Sequence, residues 1–373
     1  MKIAYILPVN MKKFGYSKEN YLDSHFSINI AREVAKLGHE VSVHTFWDKA
    51  DTYKEKNLIV HFYPISMKNI FNHDFAEFSF DLLKVKFSKD TIIHYSEPNR
   101  LFFPFFIKDK KNLIILQHHG EGIVRPFPLT SKFYVPFLFY STFFLKHFIN
   151  KCKIVIVSND SAAMSFRKYG LSSERIIKYH RGIDIEKYKD FNKLELRKKF
   201  NLNQDHIIFL FVGRITKSKG IRELVSAYNE IKKNNCDVDL VLLGPLEDKE
   251  LLNIVKPYWR GFKNTNELQK WLSLSDIFCL PSYYEAFGIV LIQALYYNLP
   301  IIATKVGAIP EFVPENKSIL IKPRDVNDLK TAMEKMLDPK FRLTKSSNSR
   351  SFVLSKYTWE NVAKKYIEIY MTS

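Results

Sequence analysis

The chain has 373 residues, of which 46% are hydrophobic and 26% are charged, and its formal net charge is +18. This composition excludes a disordered chain, and the length favours two domains over a single core. The cysteines Cys152, Cys236 and Cys279 are far apart and form no CxxC pair, so we expect neither a disulfide framework nor a zinc site. The most apolar later segment contains Pro136 and is too short to span a bilayer.

Short apolar strands alternate with helical patterns along the first half of the chain. Residues 3–7 predict a strand, and Phe26, Ile30 and Val34 then recur at the spacing of one helix face before Gly38. Further strands are predicted at residues 40–46, 58–62, 91–95, 113–117 and 154–158. This alternation predicts a parallel sheet that is covered by helices on both faces.

The same alternation begins again in the second half. Strands are predicted at residues 207–213, 238–244, 277–280 and 300–304, and helices near 221–234, 266–274, 289–298 and 326–337. We therefore predict an α/β protein with two Rossmann-like, doubly wound domains that face each other across a cleft. The predicted divisions are an N-terminal domain (1–180), a linker (181–205), a C-terminal domain (206–355) and a last helix (358–370) that packs back on the first domain.

The loop after the first strand of the second half is typical of a phosphate-binding turn. It reads Gly213-Arg214-Ile-Thr-Lys-Ser-Lys219-Gly220 and leads directly into a predicted helix. Backbone N–H groups, the helix dipole and the cations Arg214 and Lys219 would together favour a diphosphate. The alternative is that these are ordinary surface cations that happen to precede a helix.

A second loop, after the strand at 277–280, has the same build. Pro281-Ser282 is followed by a polar stretch with Glu285 and Gly288, and then by an apolar helix that contains Gln293. Gly288 lets the backbone approach a ligand closely, and the first amides of the helix face that ligand. Glu285 and Gln293 can therefore point at the same molecule, although a lone acidic loop residue is usually only solvated.

Taken together, these loops resemble the signature of the family 4 glycosyltransferases, which are retaining enzymes of the GT-B fold. The matching motifs are, in chain order, Gly213-Arg214-x4-Lys219-Gly220, Pro281-Ser-x-x-Glu285-x-Phe-Gly288 and Gly307-x-x-Pro310-Glu311. The resemblance covers the second half well. The first half matches in outline, through Gly38-His39-Glu-Val and Gln117-His-His-Gly120.

The resemblance implies roles for the matching residues of the second half. Arg214 and Lys219 would grip the donor diphosphate, and Glu285 would contact the donor sugar. The substrate-binding residues expected from the same loops are Gly213, Phe287, Gly288, Ile289 and Val290. Gln293 stands where the family usually has a second glutamate that accepts hydrogen bonds from the ribose. An amide oxygen can still accept such a bond, without the charge that strengthens it.

In the first half, the resemblance implies a histidine at a strand end that hydrogen-bonds the donor sugar. His119 is the better match and His118 the alternative, and strand alternation points the two side chains to opposite sides. A competing interpretation is that both rings are merely packed near the strand end. The glycine-rich loop that follows the first strand in the family is represented by Gly15 alone, which we include as a substrate-binding candidate.

Neither a cofactor nor a metal is expected. Asp237-x-Asp239 has metal-binding spacing, but it opens a strand whose leucines predict a core position. Enzymes of the resembling fold usually hold the diphosphate with cations and helix dipoles instead of a metal. No GxGxxG follows a strand, which disfavours a nicotinamide enzyme, and no P-loop, HExxH or GxSxG occurs. The charge of +18 is not accompanied by any nucleic-acid-binding module, so no nucleic-acid partner is expected.

The function implied is transfer of a sugar from a nucleotide-diphosphate sugar to a glycan, lipid-linked or other hydroxyl acceptor. The alternative is a nucleotide-sugar-binding protein of the same fold that turns over weakly because of Gln293.

Residues 101–180 are rich in cations and aromatics, which predicts peripheral association of a cytoplasmic protein with an anionic membrane face. The alternative reading of residues 133–149 is an ordinary core helix. The opening residues lack the features of a signal peptide.

Overall fold

The computed structural model describes residues 1–10, 12, 15–66, 79–96, 103–107, 111–118, 143, 145–179, 181–234, 236–285 and 287–373. The chain forms two compact units, the first made of Met1–Gly182 with Trp359–Ser373 and the second of Ile183–Thr358. From Ile183 onward, the stretch predicted as a linker belongs to the second unit, and its Leu196 and Arg197 are buried there. Hydrophobic burial thus extends into a stretch whose sequence shows little apolar periodicity.

The first unit is built on one mainly parallel sheet. Its strands are β1 (Lys2–Asn10), β2 (Glu40–Trp47), β3 (Asp51–Glu55), β4 (Leu58–Pro64), β5 (Thr91–Ser96), β6 (Ile114–His118), β7 (Ile154–Val157) and β8 (Ile176–Lys178). Within the described residues, the strand order is β3-β4-β2-β1-β5-β6-β7-β8. Among the described strands, only β3 runs antiparallel to its neighbour, β4, and Lys56 in the turn between them has φ 46°. The sequence did not predict this edge strand.

Helices cover the first-unit sheet. Those described are α1 (Lys18–Ser24), α2 (Phe26–Lys36), α3 (Phe80–Leu83), α4 (Phe103–Ile107), α5 (Lys146–Ile149), α6 (Asp160–Lys168) and, from the end of the chain, α16 (Trp359–Thr372). The helix predicted from Phe26, Ile30 and Val34 is α2, which buries Ile30 and Val34. Helix α16 lies in the first unit and packs its buried side chains in one core with β1 and α2.

A buried hydrogen-bond network joins α16 to the sheet. Tyr5 Oη and His94 Nδ1 each lie 2.8 Å from Tyr370 Oη, and His94 Nε2 lies 2.8 Å from Gln117 Oε1. The amide of Gln117 donates to Tyr366 Oη at 2.5 Å. Burial lowers the pKa of His94 to about 4, so its ring is neutral at ordinary pH. The network satisfies polar groups that would otherwise be costly to bury.

The second unit contains a parallel sheet in the order β10-β9-β11-β12-β13, formed by β9 (Ile207–Val212), β10 (Val238–Leu243), β11 (Ile277–Leu280), β12 (Ile301–Thr304) and β13 (Ser318–Ile321). Its helices are α7 (Lys193–Lys199), α8 (Ile221–Asn234), α9 (Leu252–Val255), α10 (Thr265–Leu274), α11 (Ile289–Tyr296), α12 (Ile309–Phe312), α13 (Val326–Lys335), α14 (Pro339–Ser346) and α15 (Ser349–Lys356). The predicted α/β architecture with two largely parallel sheets is confirmed. Because β9 and β11 are neighbours, the loops at their carboxyl ends lie side by side.

Candidate active site

The two loops predicted to bind a ligand are in contact with each other. The backbone N–H of Tyr283, after β11, donates to Ser218 O in the loop after β9, at 2.8 Å. Gly220 has φ 66°, and a Cβ at that position would lie only 2.1 Å from Pro281 O. Position 220 therefore requires glycine both for its backbone conformation and for the close approach of the second loop.

The side chains of Lys219 and Glu285 meet at this junction. Lys219 Nζ lies 2.5 Å from Glu285 Oε2, and the two side chains are 14% and 16% exposed. Lys219 also stands two residues before the first residue of α8, where free N–H groups and the helix dipole favour an anion. The sequence predicted a role for both residues, and the structure joins them as an ion pair.

Arg214 lies at the start of the same loop and is more exposed. Its Nη1 is 3.0 Å from Glu247 Oε2, and the two side chains are 60% and 44% exposed. An exposed pair of this kind is weak and can exchange partners readily. Gly213 directly precedes Arg214, and a Cβ on Gly244 would lie 1.9 Å from Gly213 O. The close approach of the two backbone segments beside Arg214 therefore requires glycine at position 244.

The start of α11 is shaped by Gly288, which precedes the helix with φ 70° and ψ 54°. A Cβ there would lie 3.1 Å from Glu285 Cγ, so glycine leaves room for the carboxylate. Ile289 is 36% exposed and Val290 is half-buried, at the first turn of α11. Phe287 is buried and its ring stacks on Phe312 with centroids 4.8 Å apart, so only its backbone faces a ligand.

Gln293, also on α11, has a partner that the sequence did not indicate. Its Nε2 donates to Tyr188 Oη at 2.8 Å. Burial raises the pKa of Tyr188 to about 12, so the hydroxyl stays protonated. The tyrosine belongs to the stretch that the sequence analysis assigned to a linker. Because the amide nitrogen is engaged by Tyr188, the Oε1 atom is the end of Gln293 that is left to accept from a ligand hydroxyl.

Two of the three first-unit candidates, His118 and Gly15, lie within the described residues. His118 ends β6 and is 2% exposed, with its ring 5.8 Å from that of Phe166. Gly15 has φ 80° and its N–H donates to Lys12 O at 3.0 Å, in a turn with open space where a Cβ would stand. His119, the preferred histidine, lies outside the described residues. The assignment of His118, His119 and Gly15 to substrate therefore stays a prediction.

Three further residues at the junction, Tyr283, Glu223 and Arg324, were not predicted from the sequence. Tyr283 Oη donates to Glu223 Oε1, in the first turn of α8. The guanidinium carbon of Arg324 lies 4.6 Å from the centroid of the Tyr283 ring. A tyrosine two positions before Glu285 was visible in the sequence, but nothing local showed that it would reach α8.

The metal candidate Asp237-x-Asp239 is at the opposite, amino-terminal end of β10. His206 Nδ1 lies 2.9 Å from Asp239 Oδ2, and His206 Nε2 lies 3.7 Å from Asp237 Oδ1. Leu240 and Leu242 are buried in the core, as the pattern predicted. Among the residues that the structure describes, no group of three or more histidine, cysteine, aspartate or glutamate side chains is arranged to hold a metal ion.

A cavity of about 380 Å³ in the first unit has none of the predicted site residues in its lining. It is lined by the amino-terminal ends of first-unit strands, including Lys2 of β1, Ser42 of β2 and Thr91 of β5. Parallel sheets bind ligands at the carboxyl ends of their strands, so this cavity is not the candidate active site. Within the described residues, no helix is both long and apolar enough to cross a membrane.

Comparison with known proteins agrees with the geometry of the second unit. The profile described as Glycosyltransferase Family 4 matches residues 25–187, and the one described as Glycosyl transferases group 1 matches residues 192–351. An uncharacterized glycosyltransferase of Methanocaldococcus jannaschii is 26% identical over 59% of this chain and 60% of its own length. A lipopolysaccharide 1,2-N-acetylglucosaminetransferase of Salmonella typhimurium is 26% identical, over 59% and 62%.

Solved structures identify the fold. HepE of Anabaena, in complex with UDP, superposes with a TM-score of 0.73 at 15% identity, covering 100% of both chains. The chain is therefore an α/β protein of the GT-B fold, as predicted. With the two family profiles covering both halves, it belongs to the family 4, group 1 glycosyltransferases. The matched region spans about 60% of the length of the first curated relatives.

Proposed function

We propose that this protein transfers a sugar from a nucleotide-diphosphate sugar to a hydroxyl acceptor, with retention of configuration at the anomeric carbon. The observation that carries the proposal is the Lys219–Glu285 pair, with Nζ and Oε2 2.5 Å apart at the junction of two ligand-type loops. The ammonium group of Lys219 is suited to a diphosphate, and the carboxylate of Glu285 is suited to sugar hydroxyls. They lie beside the first turns of α8 and α11, which add anion-binding N–H groups.

The chemistry assigned to these residues is electrostatic. When the bond between the sugar and the β-phosphate oxygen breaks, negative charge develops on the nucleoside diphosphate. Lys219, Arg214 and the first turn of α11 would stabilise that charge in a partly enclosed site. Lys219 must then leave Glu285 for the diphosphate, and the released carboxylate is free to accept hydrogen bonds from the sugar. Donor binding would thus exchange one ion pair for another.

UDP-sugars are the first donors to test. HepE, which shares the fold, has been solved with UDP and with UDP-glucose. The relatives point to glycan or lipid-linked acceptors, since they include the lipopolysaccharide enzyme and a subunit of a yeast phosphatidylinositol N-acetylglucosaminyltransferase. We propose an acceptor of this broad class.

Gln293 favours a second candidate, a nucleotide-sugar-binding protein with weak turnover, because an amide binds ribose less strongly than a carboxylate does.

A panel of UDP-, GDP- and ADP-sugars tests both candidates. A donor should raise the melting temperature, because a ligand that binds only the folded state stabilises it. Released nucleoside diphosphate is then measured with and without candidate acceptors. Turnover supports the transferase, whereas binding without release supports the weak-turnover candidate. If no nucleotide-sugar shifts the melting temperature or is consumed, both candidates fail.

We also propose that the first unit docks on an anionic bilayer. Phe143 and Met164 are 63% and 55% exposed, and exposed cations lie near them in the chain, namely Lys146 in α5, Lys151 just after α5 and Lys168 at the end of α6. Exposed apolar groups among cations suit a membrane surface, where each cation adds about 1 kcal/mol. Other residues of the predicted surface, including Lys108, Lys110 and Lys132, lie outside the described residues.

Sedimentation with vesicles that contain anionic lipid tests this docking. Replacing Lys146, Lys151 and Lys168 by glutamate should weaken binding on the order of 100-fold, and salt should weaken it in the wild type. The matched control makes the same change at Lys198, Lys199 and Lys233, which are exposed on the second unit. Equal loss in both triple variants would show only a dependence on net charge and would contradict docking through the first unit.

A further inference from the structure

Besides the Lys219–Glu285 pair, hydrogen bonds with Thr304, Ser218 and Glu223 hold the loop that carries Glu285. Thr304 Oγ1 donates to Ser282 O at 2.5 Å, and the N–H of Tyr283 donates to Ser218 O at 2.8 Å. The third bond runs from Tyr283 Oη to Glu223 Oε1. The first two bonds end on main-chain atoms of the loop. The third is made by a side chain and can therefore be removed without changing the backbone.

The Tyr283–Glu223 bond spans the same junction as the Lys219–Glu285 pair. Glu223 is four residues after Lys219, and Tyr283 is two residues before Glu285. The second oxygen of Glu223, Oε2, is buried and has no hydrogen-bond partner among the described residues. Among the described residues, Tyr283 is therefore the hydrogen-bond partner of the Glu223 side chain, and two side-chain contacts tie the Glu285 loop to the segment that runs from Lys219 into α8.

The environment of Tyr283 favours a fixed ring and a protonated hydroxyl. The Arg324 guanidinium stacks over the ring at 4.6 Å, which restricts its rotation. Burial, and then the negative charge of Glu223, raise the pKa of Tyr283 to about 12. The hydroxyl therefore remains a donor throughout the working pH range. A donor that cannot dissociate suits a permanent structural link better than a proton-transfer role.

We propose that Tyr283 is a positioning residue, whose hydroxyl bond to Glu223 holds the Pro281–Glu285 loop against α8 and so places Glu285 for the donor sugar. The proposal rests on the proposed function, in which Glu285 contacts that sugar. Misplacement of a reacting group by about 1 Å can cost 100-fold in rate. Removing one of several attachments of the loop should cost less, and we expect about a ten-fold loss of turnover.

Tyr283→Phe removes the hydroxyl and keeps the ring under Arg324. Turnover is followed as nucleoside diphosphate released from the UDP-, GDP- or ADP-sugar that the wild type consumes, and calorimetry measures affinity for the matching nucleoside diphosphate. We expect kcat to fall about ten-fold and the diphosphate affinity not to weaken, because Lys219 is unchanged. The matched control is Tyr228→Phe, which removes a buried hydroxyl that donates to Val238 O at 3.0 Å in the same unit.

Two further variants separate positioning from general destabilisation. Glu223→Gln keeps an oxygen that accepts from Tyr283 and should retain kcat within about two-fold, whereas Glu223→Ala should match Tyr283→Phe. In a Glu285→Gln background, Tyr283→Phe should add little further loss, because both changes act on one contact.

Several results would overturn the proposal: full kcat in Tyr283→Phe, an equal loss in Tyr228→Phe, a loss in Glu223→Gln as large as in Glu223→Ala, or additive losses with Glu285→Gln. Failure of the proposed function looks different. In that case the wild type itself neither releases nor binds any nucleoside diphosphate, whichever variants are compared with it.

Discussion

The first unit encloses a network of polar side chains, whereas the candidate site of the second unit keeps its charged side chains partly exposed. In the first unit, Tyr5, His94, Gln117 and Tyr370 are fully or almost fully buried, and they hydrogen-bond one another between the sheet and α16. In the second unit, the charged side chains that define the candidate site lie on loops at the carboxyl end of the sheet and remain partly exposed. The first arrangement uses polar groups inside the core, and the second keeps them accessible to a ligand.

This difference follows from the cost of burial. A polar group that is buried must find its hydrogen bonds within the protein, and a closed network then rigidifies the elements that it joins. The polar network of the first unit attaches the last helix of the chain in this way. The ion pair of the second unit is partly solvated, so its members can exchange partners at a lower cost. Substitutions in the two units should therefore affect different properties, namely stability in one and ligand handling in the other.

The largest effect should come from Lys219→Ala. Losing a charge-assisted contact to the developing diphosphate should cost about 2–4 kcal/mol of transition-state stabilisation, roughly 30- to 1,000-fold in rate. Arg214→Ala should also abolish most of the turnover, for the same reason. Lys217→Ala is the control, because Lys217 lies on the same turn as Lys219 and its Nζ is paired with Glu250. Near-normal rates in Lys219→Ala or Arg214→Ala, with an unchanged melting temperature, would refute the diphosphate pocket.

Acidification should weaken the first unit through its buried histidines. Because the pKa of His94 is about 4 when folded and near 6.5 when unfolded, the unfolded chain takes up a proton that the folded chain excludes. The resulting stability is complete above pH 6.5 and falls by about 3 kcal/mol as pH drops to 4. His25 acts in the same direction, since burial and the charge of Arg181 lower its pKa to about 3.

Urea unfolding between pH 7 and 4 measures this dependence. His94→Gln keeps a neutral hydrogen-bonding side chain and should remove the His94 share of the slope, although its stability at pH 7 is lower. His147→Gln, at an exposed position of the same unit, is the control for loss of one imidazole. If His94→Gln unfolds with the pH dependence of the wild type, then the ring is not neutral in the folded state.

A smaller effect, with an unusual sign, is expected for Glu285→Gln. The carboxylate competes with a bound diphosphate for Lys219, so its neutralisation should tighten UDP binding about five-fold, or roughly 1 kcal/mol. Turnover should fall at the same time, because the carboxylate no longer receives the donor sugar. Calorimetry with UDP tests the predicted gain in affinity, and a rate assay tests the predicted loss of turnover. Weaker UDP binding in Glu285→Gln would mean that the ion pair does not oppose the ligand.

The smallest effect is expected at Gln293. Gln293→Ala should raise the Michaelis constant for the donor a few-fold and change the maximal rate little, because the contact is the same in the ground and transition states. Gln293→Glu should stay active, since the Tyr188 hydroxyl can turn and donate to a carboxylate. Steady-state kinetics on both variants provide the test. An inactive Gln293→Glu enzyme would assign the amide another task.

Local patterns in the sequence determined the architecture and the two ligand-type loops. Hydrophobic alternation predicted helix α2 and most of the parallel strands, because periodicity records which face of an element is buried. Gly220 and Gly288 were recognisable in the sequence as turn residues next to predicted helices, and both have the positive φ that favours glycine. The edge strand β3 was missed, because its residues are exposed or only partly buried and do not alternate between apolar and polar side chains.

Only the tertiary structure decided how the site is assembled. Lys219 and Glu285 are 66 positions apart and meet because β9 and β11 are neighbours in the sheet, an order that no local pattern specifies. The bond from Tyr283 to Glu223 depends on the same adjacency. The contact between Gln293 and Tyr188 arises because part of the predicted linker packs on the second unit. Residue type and spacing are local properties, whereas these contacts depend on strand order and on the packing of a whole unit.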